Sequence, residues 1–237
     1  MIYFISDIHL GFKPKEENKL TENRLLEFFD MISKDAETLV ILGDLFDFWF
    51  DYRKVIPKNF FRTTTGIYNL IQKNIRVIYI IGNHDFGHYN FFQNDIGVEL
   101  IQNDLEITFY GKKFYLSHGD GKSYNDTGYK IIKKILRNPL NQKLYRLIHP
   151  DIGIWLASGS SRKSRHYTDS KNYGEKDGML DFAKKKIDEG FDYVIMGHKH
   201  KVQFVNYKNG YYINLGEWII NPHYGKFDGN EFQLIKL

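Results

Sequence analysis

The chain has 237 residues, which corresponds to one or two domains at roughly 150 residues per domain. Its 42% hydrophobic and 26% charged residues are ordinary for a globular protein and exclude a collagen-like or wholly disordered chain; the formal net charge is +4. Cysteine is absent, which excludes a disulfide framework, a thiolate metal site and a cysteine nucleophile.

Strands and helices are predicted to alternate along the chain. Short apolar runs predict strands over residues 2–6, 38–42, 75–81, 105–109, 113–117 and 191–196, and helical spacing predicts helices over about 20–34, 60–72, 129–137, 142–148, 152–158 and 179–189. A polar loop is predicted over 158–178, and Asn209-Gly210 is typical of a hairpin turn. The alternation indicates a layered α/β fold, and the hairpins indicate two partly antiparallel sheets.

Positive charge is concentrated in residues 122–175. This segment holds eleven Lys and Arg against four Asp and Glu, so it carries +7 and the remainder of the chain carries −3. A basic module on a mildly acidic body suits an anionic partner: a nucleic acid, a phosphate-bearing ligand or a membrane surface.

The sequence predicts a cytosolic protein. No stretch reaches the ~20 apolar residues of a membrane-spanning helix. The first residues, MIYFISDIHL, contain neither the basic region nor the small-residue cleavage site of a secretory signal.

A polar cluster follows each of five predicted strands. The clusters are Asp7-Ile8-His9, Gly43-Asp44, Gly82-Asn83-His84-Asp85, His118-Gly119-Asp120 and Gly197-His198-Lys199-His200. In open α/β sheets, ligands bind at the carboxyl ends of strands. The five clusters are therefore expected to meet at one site.

Seven side chains of these clusters are candidate metal ligands: Asp7, His9, Asp44, Asn83, His118, His198 and His200. Nitrogen and oxygen ligands without thiolate suit Mn²⁺, Fe²⁺, Zn²⁺ or Mg²⁺. Seven ligands exceed one tetrahedral ion and predict two ions that share a bridging carboxylate, for which we select Asp44. Strand alternation is expected to point Asp7 and His9 to the same side of an extended segment. The same expectation applies to His198 and His200.

A pair of divalent cations at this site would suit the hydrolysis of a phosphate ester or anhydride. Two ions roughly 3.5–4 Å apart can clamp a phosphoryl group, lower the pKa of a bridging water and stabilise the charge of the transition state. Gly43, Gly82 and Gly197 would let the backbone pass close to the ions.

The five clusters, in this order from residue 7 to residue 200, resemble the calcineurin-like metallophosphoesterase superfamily. The resemblance implies an α/β fold, a four-layer αββα sandwich over residues 1–237, with a small helical insertion at about 122–175 that forms a cap. It implies that one metal ion is held by Asp7, His9, Asp44 and His200, and the other by Asp44, Asn83, His118 and His198. It also implies that His84 contacts the scissile phosphate and protonates the leaving group, with Asp85 as its orienting partner.

Residues 6–10, 43–47 and the insertion after Asp120 are similar to the diphosphatases that act on UDP-2,3-diacylglucosamine in lipid A biosynthesis. That resemblance implies cleavage of the diphosphate to UMP and 2,3-diacylglucosamine 1-phosphate. It implies substrate contacts for Asn83, His84, Asp126, Ser161, Arg162, Ser164, Arg165 and His198. The best-known branch has arginine where His84 stands, so His84 agrees with the wider superfamily instead.

Aliphatic side chains alternate with cations in the insertion, as is typical of basic amphipathic helices at membrane surfaces. We expect the partner to be a UDP-linked acylated glucosamine lipid, with peripheral contact to an anionic membrane at its cytoplasmic face. No nucleic-acid partner is expected, because few aromatic residues of the insertion are placed to stack bases. Two divalent ions are expected, with Mn²⁺ first and Mg²⁺, Fe²⁺ or Zn²⁺ as alternatives.

Two other functions fit the sequence. One is a metal-dependent phosphodiesterase or phosphatase that acts on soluble nucleotides, nucleic acid or phosphoprotein. The other is a non-catalytic metal-binding scaffold, a class in which ligands or the loop histidine are lost. Every predicted ligand and His84 are present here, which favours an enzyme.

Overall fold

The computed structural model of the protein describes residues 1–124, 134–156 and 177–237. Its strands are β1 (Ile2–Ile5), β2 (Thr38–Ile41), β3 (Arg76–Ile80), β4 (Glu99–Ile101), β5 (Leu105–Phe109), β6 (Lys112–Ser117), β7 (Tyr193–Met196), β8 (Val202–Tyr207), β9 (Gly210–Leu215), β10 (His223–Phe227) and β11 (Phe232–Lys236). Its longer helices are α1 (Lys15–Ile32), α2 (Phe61–Gln72), α3 (Pro139–Tyr145) and α4 (Gly178–Asp188). A 3₁₀ turn covers Lys58–Phe60, a π-helical turn covers Phe91–Ile96, and further helical residues lie at 134–136 and 150–156.

The strands form two sheets. The first has the order β11-β10-β1-β2-β3-β4, in which β1 to β4 are parallel and β10 and β11 are antiparallel additions. The second has the order β5-β6-β7-β9-β8, in which the three central strands are parallel and a hairpin closes each edge. The predicted hairpins at Gly111 and Asn209 are both present.

Side-chain alternation along the strands creates the layers. In β1, Ile2 and Phe4 point into the core between the two sheets, and Tyr3 and Ile5 point to the core that α1 and α2 cover. A third core packs Met179 and Ala183 of α4 on the outer face of the second sheet. The predicted four-layer αββα sandwich is therefore confirmed.

Helix α1 forms because Leu25, Phe28, Phe29 and Ile32 recur at helical spacing and are buried together. It begins at Lys15, five residues before the predicted start at residue 20. Its first turn consists of charged and polar residues, so no apolar periodicity marks that turn in the sequence.

Part of the insertion lies within the described residues. Asn138 caps α3, because its Oδ1 accepts hydrogen bonds from the backbone N–H groups of Leu140 at 2.9 Å and Asn141 at 3.3 Å, and Pro139 opens the helix. This cap places α3 at Pro139–Tyr145, so the predicted boundaries of 142–148 are wrong. Residues 125–133 and most of the predicted loop over 158–178 lie outside the described residues.

None of the helices in the described ranges combines the length and hydropathy that a membrane crossing requires.

Candidate metal centre

The site lies where the parallel strands of both sheets end. Backbone hydrogen bonds join the loops there: the N–H of Asp7 donates to the carbonyl of Gly43 at 3.1 Å, and the N–H of Gly197 donates to the carbonyl of His118 at 3.0 Å. Ile5 is the last residue of β1 and Met196 is the last residue of β7, so the candidate ligands follow these strands in loops.

Five candidate ligands adopt left-handed backbone conformations. Their φ angles are 54° for Asp7, 52° for His9, 52° for Asp44, 65° for His198 and 55° for His200. The prediction that Asp7 and His9, and also His198 and His200, lie on extended segments is therefore wrong. Tight turns beyond the strand ends bring these side chains together, and such conformations are uncommon outside glycine and cluster at functional sites.

Asp7, His9 and His200 form a first group of ligand atoms. Nε2 of His9 lies 3.1 Å from Nε2 of His200. Oδ1 of Asp7 lies 3.5 Å from the His9 nitrogen and 3.3 Å from the His200 nitrogen. Two imidazole nitrogens and a carboxylate oxygen this close together are a donor set that suits a divalent cation.

Asn83, His118 and His198 form a second group. Oδ1 of Asn83 lies 2.8 Å from Nε2 of His118 and 2.9 Å from Nδ1 of His198. Nδ1 of His118 lies 2.8 Å from the carbonyl oxygen of Leu42 and must donate to it, which fixes Nε2 as the nitrogen that faces the site.

Asp44 lies between the two groups. Its Oδ2 is 3.9 Å from Nε2 of His9 and 3.3 Å from Nε2 of His118. Its other oxygen, Oδ1, accepts a hydrogen bond from the backbone N–H of His84 at 2.8 Å. Burial favours protonation of Asp44, but the nearby imidazoles of His118 and His84 hold its pKa well below the usual range.

Protonation of His118 opposes metal binding. Burial lowers the pKa of His118, but the carboxylate of Asp44 raises it, and the resulting pKa is about 10. A metal ion takes a neutral imidazole, so its binding to His118 releases a proton.

Two glycines are required by close approaches at the centre. A Cβ on Gly82 would lie 2.1 Å from Oδ1 of Asp44, and a Cβ on Gly197 would lie 2.2 Å from Oδ2 of Asp7. The backbone therefore packs directly against two of the carboxylates.

The residues fit divalent cations. Among the described residues, the buried Oδ1 of Asp7 has no partner at hydrogen-bond geometry and lies 3.5 Å from Nε2 of His9 and 3.3 Å from Nε2 of His200, so a bound cation would offset the cost of burying this oxygen. Two sets of ligand atoms, from Asp7, His9 and His200 and from Asp7, Asp44 and His118, each lie within 4.8 Å of one another. The donors are oxygen and nitrogen only, a combination that suits Mn²⁺, Fe²⁺, Zn²⁺ or Mg²⁺.

His84 lies at the edge of the centre and contacts Asp47. Its Nδ1 is 3.2 Å from the carbonyl oxygen of Asp47 and 3.7 Å from the carboxylate of the same residue. The ring centroids of His84 and His9 are 5.0 Å apart.

The predicted pairing of Asp85 with His84 is wrong. Asp85 is buried, and its carboxylate accepts hydrogen bonds from the backbone N–H groups of Leu45 and Gly82, both at 2.9 Å, and from the hydroxyl of Tyr79. Burial and the neighbouring charge of Asp44 raise the pKa of Asp85 to about 6. Its position joins the loop that carries Asp44 to the loop that carries Asn83.

The predicted substrate contacts divide into two sets. Asn83, His84 and His198 lie at the centre described above. Asp126, Ser161, Arg162, Ser164 and Arg165 lie outside the described residues.

A cleft of about 720 Å³ opens beside the centre. Its floor includes Gly11, two residues beyond His9, and Asp47, the residue that His84 contacts. Residues of the insertion, including Ile154 and Trp155, also line it, together with residues 55–60. The cleft therefore joins the candidate metal centre to the insertion.

Three cations of the insertion hold it to the body. Lys122 donates to the carboxylate of Asp104 at 2.8 and 2.9 Å. Arg137 donates to backbone carbonyls next to Asn83, and Arg146 donates to the carbonyl of Asp51 at 3.2 Å. The sequence alone indicates only a basic surface for all three, because the partners of Arg137 and Arg146 are backbone carbonyls and the partner of Lys122 is distant in sequence.

Comparisons with known proteins identify the family and the fold. The sequence profile of the family described as calcineurin-like phosphoesterase matches residues 1–202. A solved structure described as a novel archaeal phosphodiesterase superposes with a TM-score of 0.51 and 18% identity, covering 100% of this chain and 99% of that chain. At that identity the match concerns the fold alone.

Curated relatives match along almost the whole sequence. The chain is 30% identical to a UDP-2,3-diacylglucosamine hydrolase of Porphyromonas gingivalis, covering 98% of this chain and 96% of the relative. It is 28% identical to a UDP-2,3-diacylglucosamine hydrolase of Haemophilus influenzae, covering 91% of this chain and 90% of the relative.

Proposed function

The chain belongs to the calcineurin-like phosphoesterase family and is a metal-dependent hydrolase, and on that premise we propose that it cleaves the diphosphate of UDP-2,3-diacylglucosamine. The products would be UMP and 2,3-diacylglucosamine 1-phosphate. Hydrolysis breaks the bond from the uridine-side phosphorus to the bridging oxygen and forms a bond from that phosphorus to the oxygen of water. The proton from the water ends on the departing sugar phosphate.

One observation supports the choice of substrate: polar and apolar side chains together line the cleft beside the candidate metal centre. Asp47, which contacts His84, lines it together with Val55, Ile154 and Trp155. Such a lining suits a ligand that has both a diphosphate and an acyl chain. The volume of about 720 Å³ lies in the range of small-ligand sites, ~300–1,000 Å³.

Two divalent cations are part of the proposal, with Mn²⁺ as the expected metal. One would be held by Asp7, His9, Asp44 and His200, and the other by Asp44, Asn83, His118 and His198. When bound, the ions supply a phosphoryl clamp and a water of lowered pKa. Asn83 is a neutral ligand, which limits the negative charge that meets the anionic substrate.

His84 is proposed to contact the phosphate and to donate a proton to the departing group. Because the carbonyl of Asp47 can only accept, Nδ1 of His84 carries the hydrogen that it donates there. This tautomer assigns the opposite nitrogen, Nε2, to the phosphate. The carboxylate of Asp47 lies 3.7 Å from Nδ1, on the side of the ring opposite the proposed phosphate.

We also propose that the insertion contacts an anionic membrane, where such a lipid is located. Its described part exposes large apolar side chains, namely Ile135, Leu136, Leu140, Leu144, Leu147, Ile152, Trp155 and Leu156. Lys134 and Lys143 lie among them and are exposed. Apolar side chains and cations on one helical unit favour insertion at the interface of an anionic leaflet.

The substrate is tested by measuring UMP release from UDP-2,3-diacylglucosamine with Mn²⁺, against a water-soluble phosphodiester and a chelator control. We expect Mn²⁺-dependent UMP release and a clear preference for the lipid substrate. A strong preference for the soluble diester would contradict the substrate and leave the hydrolase assignment intact.

Membrane contact is tested separately by flotation with anionic vesicles. We expect the double variant Leu140→Ser, Leu147→Ser to float less than the wild type. The matched control is Ile220→Ser, which removes an apolar side chain that is 84% exposed and lies outside the insertion. Equal flotation of the double variant and the control would contradict the proposed contact surface.

A further inference from the structure

Arg137 connects the insertion to the body at the candidate metal centre. Its Nη1 donates to the carbonyl of Gln102 at 2.8 Å, and its Nη2 donates to the carbonyls of Gly82 at 2.9 Å and Ile81 at 3.3 Å. These carbonyls directly follow β3, which ends at Ile80, and β4, which ends at Ile101. One guanidinium therefore ties together the carboxyl ends of two neighbouring parallel strands.

The Gly82 peptide is fixed from several sides. Its N–H donates to Oδ1 of Asp85 at 2.9 Å, and its carbonyl accepts from Arg137. Its Cα lies so close to Asp44 that an added Cβ would be 2.1 Å from the Asp44 carboxylate. A displacement of Gly82 would therefore move the next residue, Asn83. It would also change the packing of Gly82 on Asp44.

Asn83 depends on this support. Its Oδ1 lies within 2.9 Å of both His118 and His198, so it occupies the middle of the second ligand group. Asn83 lies in the loop that follows β3, because β3 ends at Ile80. The position of its backbone therefore depends on the preceding residue, Gly82.

We propose that Arg137 is a positioning residue, which holds the Gly82 loop so that Asn83 keeps its place in the metal centre. The inference rests on the proposed function only in taking Asn83 as a metal ligand, and it does not depend on which phosphate compound is cleaved. Arg137 acts through the backbone carbonyls of Gln102, Ile81 and Gly82.

The neighbouring residues make Arg137 a rigid support. Asn138 caps α3, and the side-chain amide of Asn141 donates to the carbonyl of Ile135 at 2.7 Å, which fixes the chain on both sides of Arg137. At the other end of α3, the guanidinium of Arg146 lies 4.1 Å from the ring centroid of Tyr89. The residues that flank α3 therefore contact the body at both of its ends.

Lysine cannot replace the arginine fully. The planar guanidinium places two nitrogens on three carbonyl oxygens at once, whereas an ammonium is a single compact charge on a flexible stem. Arg137→Lys therefore keeps the positive charge but loses the paired nitrogens that contact the three carbonyl oxygens.

The test is a Mn²⁺ titration of the metal-stripped full-length protein, followed by the electron paramagnetic resonance of free and bound Mn²⁺, with turnover and melting temperature measured alongside. For Arg137→Ala we expect the affinity for the more weakly bound Mn²⁺ to fall about 10–100-fold, which is the usual effect of losing a group that supports a metal ligand. For Arg137→Lys we expect an intermediate loss. Turnover on any cleaved phosphodiester should fall with occupancy and recover at high Mn²⁺.

Arg76→Ala is the matched control. Arg76 makes two hydrogen bonds of 2.7 Å to Glu99 and lies in β3, at the end opposite Gly82. We expect it to lower the melting temperature without changing Mn²⁺ binding.

The outcomes separate the two proposals. Wild-type Mn²⁺ affinity in both Arg137 variants, or the same loss in Arg76→Ala, would overturn the positioning role. If the wild-type protein binds two Mn²⁺ ions but does not cleave UDP-2,3-diacylglucosamine, the proposed substrate is wrong. The titration of the Arg137 variants then still decides the positioning role. A wild-type protein that binds no Mn²⁺ would overturn both.

Discussion

The imidazole of His84 is held by Asp47: its Nδ1 lies 3.2 Å from the Asp47 carbonyl oxygen and 3.7 Å from the Asp47 carboxylate. Asp85, the neighbour of His84 in sequence, has its carboxylate hydrogen-bonded to Leu45, Gly82 and Tyr79 instead. The two aspartates therefore have different roles, one beside the proposed proton donor and one in the support of the loops.

Replacement of His84 tests the proposed proton donor. We expect His84→Ala to lower turnover by roughly 10²–10⁴-fold, the range for one general acid, with little change in melting temperature. Asp47→Ala should give a smaller loss, because the backbone carbonyl that His84 contacts is retained. Asp85→Asn should mainly lower stability, by about 1–3 kcal/mol, since an amide nitrogen would face buried donors. Equal turnover of His84→Ala and the wild type would exclude the role.

Removal of the central carboxylate tests the shared ligand. We expect Asp44→Ala to lose hydrolysis and to bind at most one Mn²⁺, because its Oδ2 lies near both His9 and His118. Circular dichroism of the variant should match that of the wild type in chelator, which is the control for fold. Two bound Mn²⁺ ions in Asp44→Ala would contradict the bridging position.

A substitution at Gly82 tests the close packing at the centre. In Gly82→Ala the new Cβ would be 2.1 Å from Oδ1 of Asp44, so we expect weaker Mn²⁺ binding and a loss of about 1–3 kcal/mol in the free energy of unfolding. Gly66→Ala is the control: its Cβ would meet Phe29 at 2.9 Å in the packing of α2, away from the ligands. An unchanged Mn²⁺ affinity in Gly82→Ala would contradict the geometry.

The buried His88 predicts a pH dependence of stability. Burial among aromatic rings lowers its pKa to about 3, so it is neutral in the folded protein and takes up a proton on unfolding below its ordinary pKa of ~6.5. The unfolded state then binds more protons, and the free energy of unfolding falls as the pH falls from about 6.5 towards 3.

The measurement is urea unfolding in chelator at pH 7.5 and pH 5.5. His88 alone should account for about 1.4 kcal/mol of the decrease between these pH values. His88→Leu has no titrating group at this position. We therefore expect its free energy of unfolding to decrease between the two pH values by about 1.4 kcal/mol less than that of the wild type. An identical decrease in both proteins would contradict a neutral His88.

The sequence predicts a strand correctly where burial of both faces produces a run of apolar residues. The parallel strands β1, β2, β3 and β7 are apolar runs because both of their faces are covered, and each ends in a polar cluster. The strand β4, Glu99–Ile101, is three residues long and only partly buried, so no run marks it.

The structure brings the predicted ligands close together, but in a geometry that the sequence does not predict. The left-handed turns at Asp7 and His198 replace the expected strand alternation, because backbone hydrogen bonds between loops determine them. The contact of Arg137 with Gly82 joins residues 55 positions apart through a backbone carbonyl, which residue types do not encode. His84 contacts Asp47 because the loops converge, whereas the family resemblance implies Asp85 as its partner.

The most direct test of the metal centre is the anomalous scattering of Mn²⁺ in crystals of the full-length protein grown with Mn²⁺. We predict two peaks about 3.5–4 Å apart, one at Asp7, His9 and His200 and one at Asn83, His118 and His198, with the Asp44 carboxylate between them. A single peak, or two peaks away from these side chains, would contradict the account.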